Sequence, residues 1–164
     1  MFSALEVAKY MLWYCTQKGA PISNLKLQKM LYFVWIECYK NHQEILFIDD
    51  ICAWQFGPVV PVVYFNYCQY ACLKIYVKEK PANADELTFL DTFIDKYREL
   101  SIFELVEKTH LPGTPWYIVY QNGKGRKQAI PFSLIKKVEC NSATVNTLSA
   151  STRNRLATIT KATV

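Results

Sequence analysis

The spacing of hydrophobic residues predicts two amphipathic helices in the amino-terminal part of the chain. Ser3 and Glu6 form a capping box that begins the first helix, and Gly19 ends it. Ser23 caps the second helix, which we expect to end near Asn41. The residues expected to face the core are Val7, Ala8, Met11, Leu12 and Cys15 in the first helix, and Leu27, Met30, Leu31, Val34 and Cys38 in the second.

A loop, a rigid corner and a third helix are predicted between residues 48 and 72. The segment from Ile48 to Phe56 is short and mixed, so we expect a loop with a brief extended piece. Gly57 frees the backbone whereas Pro58 restricts it, and the pair makes a corner. Pro61 suits the first turn of a helix that runs to about Cys72. The side chains available there for packing are Val62, Val63, Tyr64 and Tyr67.

Shorter elements are predicted in the second half of the chain. Residues 75–77 alternate weakly and are expected to form a strand. A helix follows Asp85, and a second capping box at Ser101 and Glu104 begins a short helix that ends near Thr109. The inward side of the helix after Asp85 is expected to consist of Leu87, Leu90, Phe93, Ile94 and Tyr97.

The last segments complete the predicted fold. The run from Trp116 to Tyr120 fits either a strand or a helix, and a final helix begins at Ser133. The segment from Gln128 to Ile130 is expected to extend back toward the body of the protein. The whole pattern predicts a mainly α, compact single-domain fold with five to seven helices and at most a small β-hairpin near the C-terminal part.

The composition is typical of one folded domain followed by a polar tail. The chain has 164 residues, of which 51% are hydrophobic and 15% aromatic, so it needs no disulfide or metal to stabilise a core. Half of the residues from Asn141 onward are Ser, Thr or Asn, without an apolar period. We therefore predict a domain over residues 1–140 and a flexible, basic tail over residues 141–164.

Positive charge is concentrated toward the carboxyl end. The net charge is +5, and residues 121–164 contain eight Lys or Arg but a single acidic residue, Glu139. Such a segment suits an acidic protein surface or a phosphate backbone. The chain has no uncharged apolar run of about 18 residues and no pattern of a signal peptide, so we expect a cytoplasmic protein without a membrane span.

The cysteines and histidines do not predict a metal site. None of the six cysteines forms a CxxC pair, and small buried thiols are the expected state in a reducing compartment. Cys68 and Cys72 are one helical turn apart, but only His42 and His110 are available as further ligands. We therefore expect no metal and no cofactor.

Catalytic motifs are also missing from the sequence. His110 is a natural acid or base at neutral pH, but no nucleophile elbow and no HExxH motif accompanies it. The basic glycine turn at residues 122–127 lacks the strand and the Ser or Thr of a Walker loop, so it is either a solvated tip or a contact to phosphate. We predict that the protein is not an enzyme and that His110 has a structural or interface role.

Two blocks of sequence combine large apolar side chains with a few polar groups at fixed places. In the first block, Leu25 to Phe33, Lys26 and Lys29 are predicted to lie on the more exposed side of the helix. Gln28 is flanked by apolar residues and is expected to tie the helix to an adjacent loop through hydrogen bonds. The second block is Ala53 to Tyr64.

The second block contains the better candidates for partner binding. Aromatic side chains on a stiff loop offer a large contact area at a small entropic cost. Trp54 is expected either to plug the core beneath the corner or to contact a partner, and Gln55 and Phe56 are expected to be exposed. The predicted partner-binding residues are Trp54, Gln55, Phe56, Gly57 and Pro58, together with His110 and Trp116.

These blocks resemble the signature of the Panacea domain antitoxin family, which includes the SocA-like and the phage-associated GepA-like proteins. The sequences LKLQKMLYF at residues 25–33 and AWQFGPVVPVVY at residues 53–64 match its first two parts. Thr-His at residues 109–110, followed by Pro-Trp at residues 115–116, resembles the third part. Met30 stands where the family usually has Leu, and Phe56 where it often has Tyr.

The resemblance implies a helical antitoxin encoded beside a toxin, which it neutralises by direct protein–protein binding. In the SocA branch it also implies an adaptor that delivers the toxin to an ATP-dependent protease such as ClpXP. A second hypothesis comes from the basic carboxyl end, which suits a phage-associated regulator that binds nucleic acid.

Overall fold

The computed structural model of the protein describes residues 1–140 and confirms a mainly α fold. The flexible tail predicted for residues 141–164 lies outside the described residues. In chain order the elements are α1 Ala4–Gln17, β1 Ile22–Ser23, α2 Asn24–His42, β2 Cys52–Trp54, β3 Gly57–Val59, α3 Pro61–Tyr67, β4 Lys74–Ile75, α4 Asp91–Arg98, α5 Ile102–His110, α6 Pro115–Tyr120 and α7 Phe132–Ile135. Short 3-10 turns lie at Cys68–Tyr70, Ala84–Leu90 and Gln121–Gly123, and a π-helical turn lies at Lys136–Cys140.

The predicted capping residues begin three of the helices. The backbone N–H of Glu6 donates to the Ser3 hydroxyl, and the Glu6 carboxylate accepts from the Ser3 backbone N–H at 2.8 Å. Ser101 and Glu104 form the same capping box at α5. The Ser23 hydroxyl accepts from the third residue of α2. These local hydrogen bonds satisfy backbone donors that the helix itself leaves unpaired.

Helix α2 lies at the centre of the fold and is buried on nearly all sides. It contacts α1, α3, α4, α5 and β3. Trp35 is fully buried, and its indole N–H donates to the Phe47 carbonyl oxygen at 3.1 Å. The prediction that Lys29 lies on an exposed side is wrong, because this part of α2 has no solvent-facing side. Lys26 is half-buried, and its Nζ donates to the Arg98 carbonyl oxygen at 2.6 Å.

The strands form two small antiparallel sheets. Strand β1 pairs with β4, which places Ile22 opposite Ile75. Strand β2 pairs with β3 in a tight hairpin, where Trp54 lies opposite Gly57. The other edge of β2 contacts residues 127–130, and a bridge joins Cys52 to Ala129. The carboxyl-terminal segment therefore extends back to the body as expected, but it pairs with β2 instead of forming a hairpin of its own.

Two helices differ from their predicted form. Helix α3 ends at Tyr67, and Ala71 has a φ of +49°, which interrupts the helix predicted to reach Cys72. Val62 is 42% exposed and therefore does not pack as predicted. The helix expected after Asp85 is a 3-10 turn followed by α4, although four of the five predicted inward residues are buried, namely Leu87, Leu90, Ile94 and Tyr97.

The cysteines are free thiols in different surroundings. Cys15, Cys38 and Cys52 are buried, whereas Cys68 and Cys72 are exposed, so burial was wrongly expected for these two.

Within residues 1–140, no three His, Cys, Asp or Glu side chains are grouped so that they could hold a metal ion. In the same part of the chain, no helix is both long and apolar enough to cross a membrane.

Candidate functional site

The first two sequence blocks meet at a buried lysine. The Nζ atom of Lys29 donates to the carbonyl oxygen of Pro58 at 2.7 Å, and the Lys29 residue is 0% exposed. Burial lowers the pKa of Lys29 from 10.5 to about 7, because the charged form loses its hydration. None of the ion pairs within residues 1–140 includes this lysine. Its side chain therefore holds the hairpin backbone and does not neutralise a carboxylate.

A chain of amide hydrogen bonds runs beside this lysine. Gln28 Oε1 accepts from the Val60 backbone N–H at 2.9 Å, and Gln28 Nε2 donates to Asn24 Oδ1 at 2.9 Å. Asn24 Nδ2 in turn donates to the Tyr64 carbonyl oxygen at 3.1 Å. Gln28 is buried, and the prediction that it ties α2 to an adjacent loop is confirmed. Lys29 and Gln28 together fix the backbone from β3 into α3.

Gly57 is required where strand β3 comes closest to α2 and α5. Its φ is +104°, a conformation that residues with a Cβ rarely adopt. A Cβ at this position would lie 2.7 Å from Thr109 Oγ1 and 3.0 Å from Lys29 Nζ. The glycine therefore allows β3 to pass directly between the side chains of α2 and α5.

Thr-His at residues 109–110 and Pro-Trp at residues 115–116, which we call the third block, support the opposite side of the hairpin. Trp116 Nε1 donates to the Trp54 carbonyl oxygen at 2.7 Å. The His110 ring lies on Trp116 with 3.8 Å between centroids, and its Nδ1 donates to the Val106 carbonyl oxygen at 2.7 Å. His110 Nε2 lies 3.4 Å from the Gln55 carbonyl oxygen. Trp116 therefore holds the backbone at the start of the hairpin turn, and His110 packs on the Trp116 ring.

The side chains at the hairpin form an aromatic surface. The Trp54 ring packs against Tyr64 and Phe65, with centroid distances of 4.8 Å and 6.0 Å. Lys127 Nζ lies 5.4 Å from the centre of the Trp54 ring. Phe65 is 62% exposed and Phe56, in the turn, is 60% exposed. A group of aromatic side chains that includes an exposed ring such as Phe65 is typical of protein interaction sites.

The seven predicted partner-binding residues thus divide into two groups. Gln55 and Phe56 are exposed, and Trp54 and His110 are half-buried. Gly57, Pro58 and Trp116 are buried, so they can contribute to binding only by supporting the hairpin. The Trp54 ring is half-buried and its backbone carbonyl oxygen is held by Trp116, while contact of Trp54 with a partner stays a prediction.

An open cleft adjoins the hairpin on the side of α6. It has a volume of about 540 Å³, and His110, Trp116 and Tyr120 contribute its stacked rings. Tyr117 and Ile118 are exposed at its edge. The cleft has no acidic side chain in its lining, which further consists of Gly113, Gln121 and Asn122.

A family of known proteins matches the part of the chain that contains the hairpin and the residues that hold it. Residues 27–117 match the family described as "Antitoxin SocA-like, Panacea domain", and this range includes the lysine, the hairpin, His110 and Trp116. The chain belongs to this family. It is similar to Antitoxin SocA of Caulobacter vibrioides (strain NA1000 / CB15N), with 30% identity over 151 residues that cover 82% of this chain and 79% of that protein. No solved structure matches the chain.

Several important residues of this SocA-like chain were missed by the sequence analysis. Lys29 was placed on the wrong side of α2, although the apolar residues on all sides of that helix are the signal of a buried helix. Asn24 and Thr109 are buried polar residues that no motif singled out. Phe65 and Lys127 come together with Trp54 only in the folded chain, and their sequence neighbourhoods give no sign of it.

Proposed function

We propose that this protein is an antitoxin that neutralises a protein toxin by direct binding, and that the β2–β3 hairpin and its aromatic neighbours form the binding surface. The observation that supports the proposal best is the contrast between the two sides of the hairpin. Its backbone is held by Lys29, Gln28 and Trp116, whereas Phe56 remains 60% exposed.

A rigid hairpin favours tight binding. When a loop is already held in one conformation, association costs less conformational entropy, and more of the contact energy appears as affinity. Exposed aromatic side chains at the centre of such a surface commonly contribute most of the binding energy. Lys29, His110 and Trp116 donate to backbone carbonyl oxygens, which supports a binding role without catalysis.

Delivery to a protease is a separate step that the proposal does not require. Binding alone would block the toxin if the hairpin covered the part of the toxin that contacts its target. An adaptor would in addition present the complex to an ATP-dependent protease such as ClpXP. Growth rescue in a strain that lacks this protease therefore separates the two modes of action.

Co-expression with the protein encoded by the adjoining gene tests the proposal. We expect that protein to arrest growth when it is produced alone, and this chain to restore growth and to co-purify with it as a stable complex. Rescue should persist in the protease-deficient strain. Rescue of growth without a detectable complex would contradict neutralisation by direct binding.

A further inference from the structure

The hairpin segment and the basic turn that packs against it carry positive charge but no acidic side chain. Residues 51–73 contain no charged side chain, and residues 111–135 contain Lys124, Arg126 and Lys127 but no Asp or Glu. All three cations are exposed, and none belongs to an ion pair within residues 1–140. The nearest acidic residues along the chain are Asp50, which precedes β2 at the end away from the turn, and Glu107, one helical turn before His110.

The backbone holds this charge beside the aromatic side chains. The backbone N–H of Lys127 donates to the Ala53 carbonyl oxygen at 2.7 Å, and the Ala53 N–H donates to the Gln128 carbonyl oxygen at 2.8 Å. These bonds fix the basic turn against β2 and place Lys127 Nζ over the Trp54 ring. Trp54, Phe65 and Lys127 are in contact here, and Lys124 and Arg126 belong to the same basic turn as Lys127. We refer to these five residues, together with Phe56 of the hairpin turn, as the basic aromatic face.

Trp54 also has an unused hydrogen-bond donor. Its Nε1 is the single buried side-chain nitrogen or oxygen in residues 1–140 that has no hydrogen-bond partner. An indole N–H can only donate, so it requires an acceptor such as a carboxylate or a carbonyl oxygen. A buried donor without a partner is unfavourable in the unbound protein.

We propose that the basic aromatic face binds an acidic segment of the toxin, in which carboxylates alternate with apolar or aromatic side chains. This inference rests on the function proposed above and specifies the chemistry of the partner. The carboxylates would lie near Lys124, Arg126 and Lys127, and the apolar side chains would cover Phe56 and Phe65. Charge complementarity of this kind accelerates association and excludes partners of the wrong charge.

An acidic protein segment fits this face better than a nucleic acid does. Binding to a phosphate backbone depends on several cations that each contact a phosphate. The face supplies three cations, and residues 1–120 contain 11 Lys or Arg against 13 Asp or Glu. The mildly acidic body would repel a long polyanion, whereas a short acidic segment contacts only the face.

The test compares two triple variants of the full chain in complex with the protein of the adjoining gene. In the first, Lys124, Arg126 and Lys127 are each replaced by Glu. In the control, Lys9, Lys74 and Lys78, which are equally exposed lysines of α1, β4 and the following loop, are replaced by Glu. Both variants change the net charge equally. The dissociation constant is measured at about 0.05 M and about 0.3 M salt, and circular dichroism verifies that each variant is folded.

We expect the first variant to bind about tenfold or more weakly at low salt and to lose most of the salt dependence, while the control binds nearly as the wild type does. Equal affinities of the first variant and the wild type would overturn the acidic-segment proposal and leave direct neutralisation intact. Absence of any complex with the wild-type chain would instead overturn the proposed function itself.

A parallel measurement uses single-stranded and duplex DNA oligonucleotides of about 20 nucleotides, long enough for several phosphate contacts. Under the proposal, neither binds the wild-type chain with an affinity comparable to that of the protein partner. Tight oligonucleotide binding that the first variant abolishes, with unchanged binding of the protein partner, would assign the face to nucleic acid and overturn the proposal.

Discussion

The side-chain nitrogen of Lys29 lies 2.7 Å from the carbonyl oxygen of Pro58, and the residue is fully buried. Removing an amine from water is costly, and the single hydrogen bond to Pro58 replaces only part of its hydration, so a lysine at this position is a poor means of stabilising a core. It does, however, connect the central helix α2 to the β3 strand of the hairpin. We infer that this contact sets the position of the hairpin relative to the rest of the fold.

The buried lysine predicts a pH dependence of stability. The pKa of Lys29 falls from 10.5 to about 7 on folding, so between these values the unfolded chain binds more protons than the folded chain. The free energy of unfolding contributed by Lys29 therefore rises with pH in this window, by up to about 1.4 kcal/mol per pH unit. Replacing Lys29 by Met should remove this rise.

Urea unfolding of the wild type and of Lys29→Met at about pH 7 and about pH 9 checks this prediction. The tyrosines and cysteines that titrate at high pH are present in both proteins, so they cancel in the difference between the two. The wild type should gain stability relative to Lys29→Met as the pH is raised. Parallel pH profiles for the two proteins would show that Lys29 does not titrate in this window.

Gly57 should tolerate no side chain. In Gly57→Ala, the new Cβ would meet Thr109 Oγ1 at 2.7 Å in addition to the strain of a positive φ, so we expect a loss of about 2–4 kcal/mol in unfolding free energy. Gly113→Ala is the matched control, because Gly113 also has a positive φ but nothing lies within 4 Å of its Cβ position. The control should lose only about 1 kcal/mol. Equal losses would show that the close approach of α5 to Gly57 is unimportant.

Gln28 should stabilise the fold through its two hydrogen bonds. Gln28→Leu keeps a similar volume but leaves the Val60 N–H and Asn24 Oδ1 without their partner, which should cost about 1–3 kcal/mol. The same substitution at the exposed Gln17 should change the stability by less than about 0.5 kcal/mol. Chemical denaturation measures both, and a Gln28→Leu variant as stable as the wild type would exclude a role for this hydrogen-bonded chain.

Most of the helices and part of the candidate site could be predicted from the sequence. Capping boxes at Ser3 and Ser101 act over three residues, so they can be recognised without the fold. Gln28 was identified because a polar residue among apolar neighbours must find hydrogen-bond partners when it is buried. The exposure of Phe56 at the hairpin turn was also predicted correctly.

The parts that could not be predicted depend on contacts between distant residues. Strand β2 has three residues, and its second edge is paired by Ala129, which is far away in the chain. The burial of Lys29 depends on α5 and β3 packing against the side of α2 that the sequence analysis assigned to solvent. The contact of Lys127 with Trp54 could not be predicted either, because only the folded chain brings the basic turn to the hairpin.

The central claim is that the exposed side of the hairpin binds the toxin, and one affinity measurement tests it most directly. Phe56→Ser removes the aromatic ring at the turn, and Phe103→Ser removes an equally large ring that is 83% exposed on α5. Isothermal titration with the protein of the adjoining gene should show that Phe56→Ser binds about tenfold or more weakly, while Phe103→Ser stays within about twofold of the wild type. Wild-type affinity of a folded Phe56→Ser variant, or an equal loss in both variants, would contradict the claim.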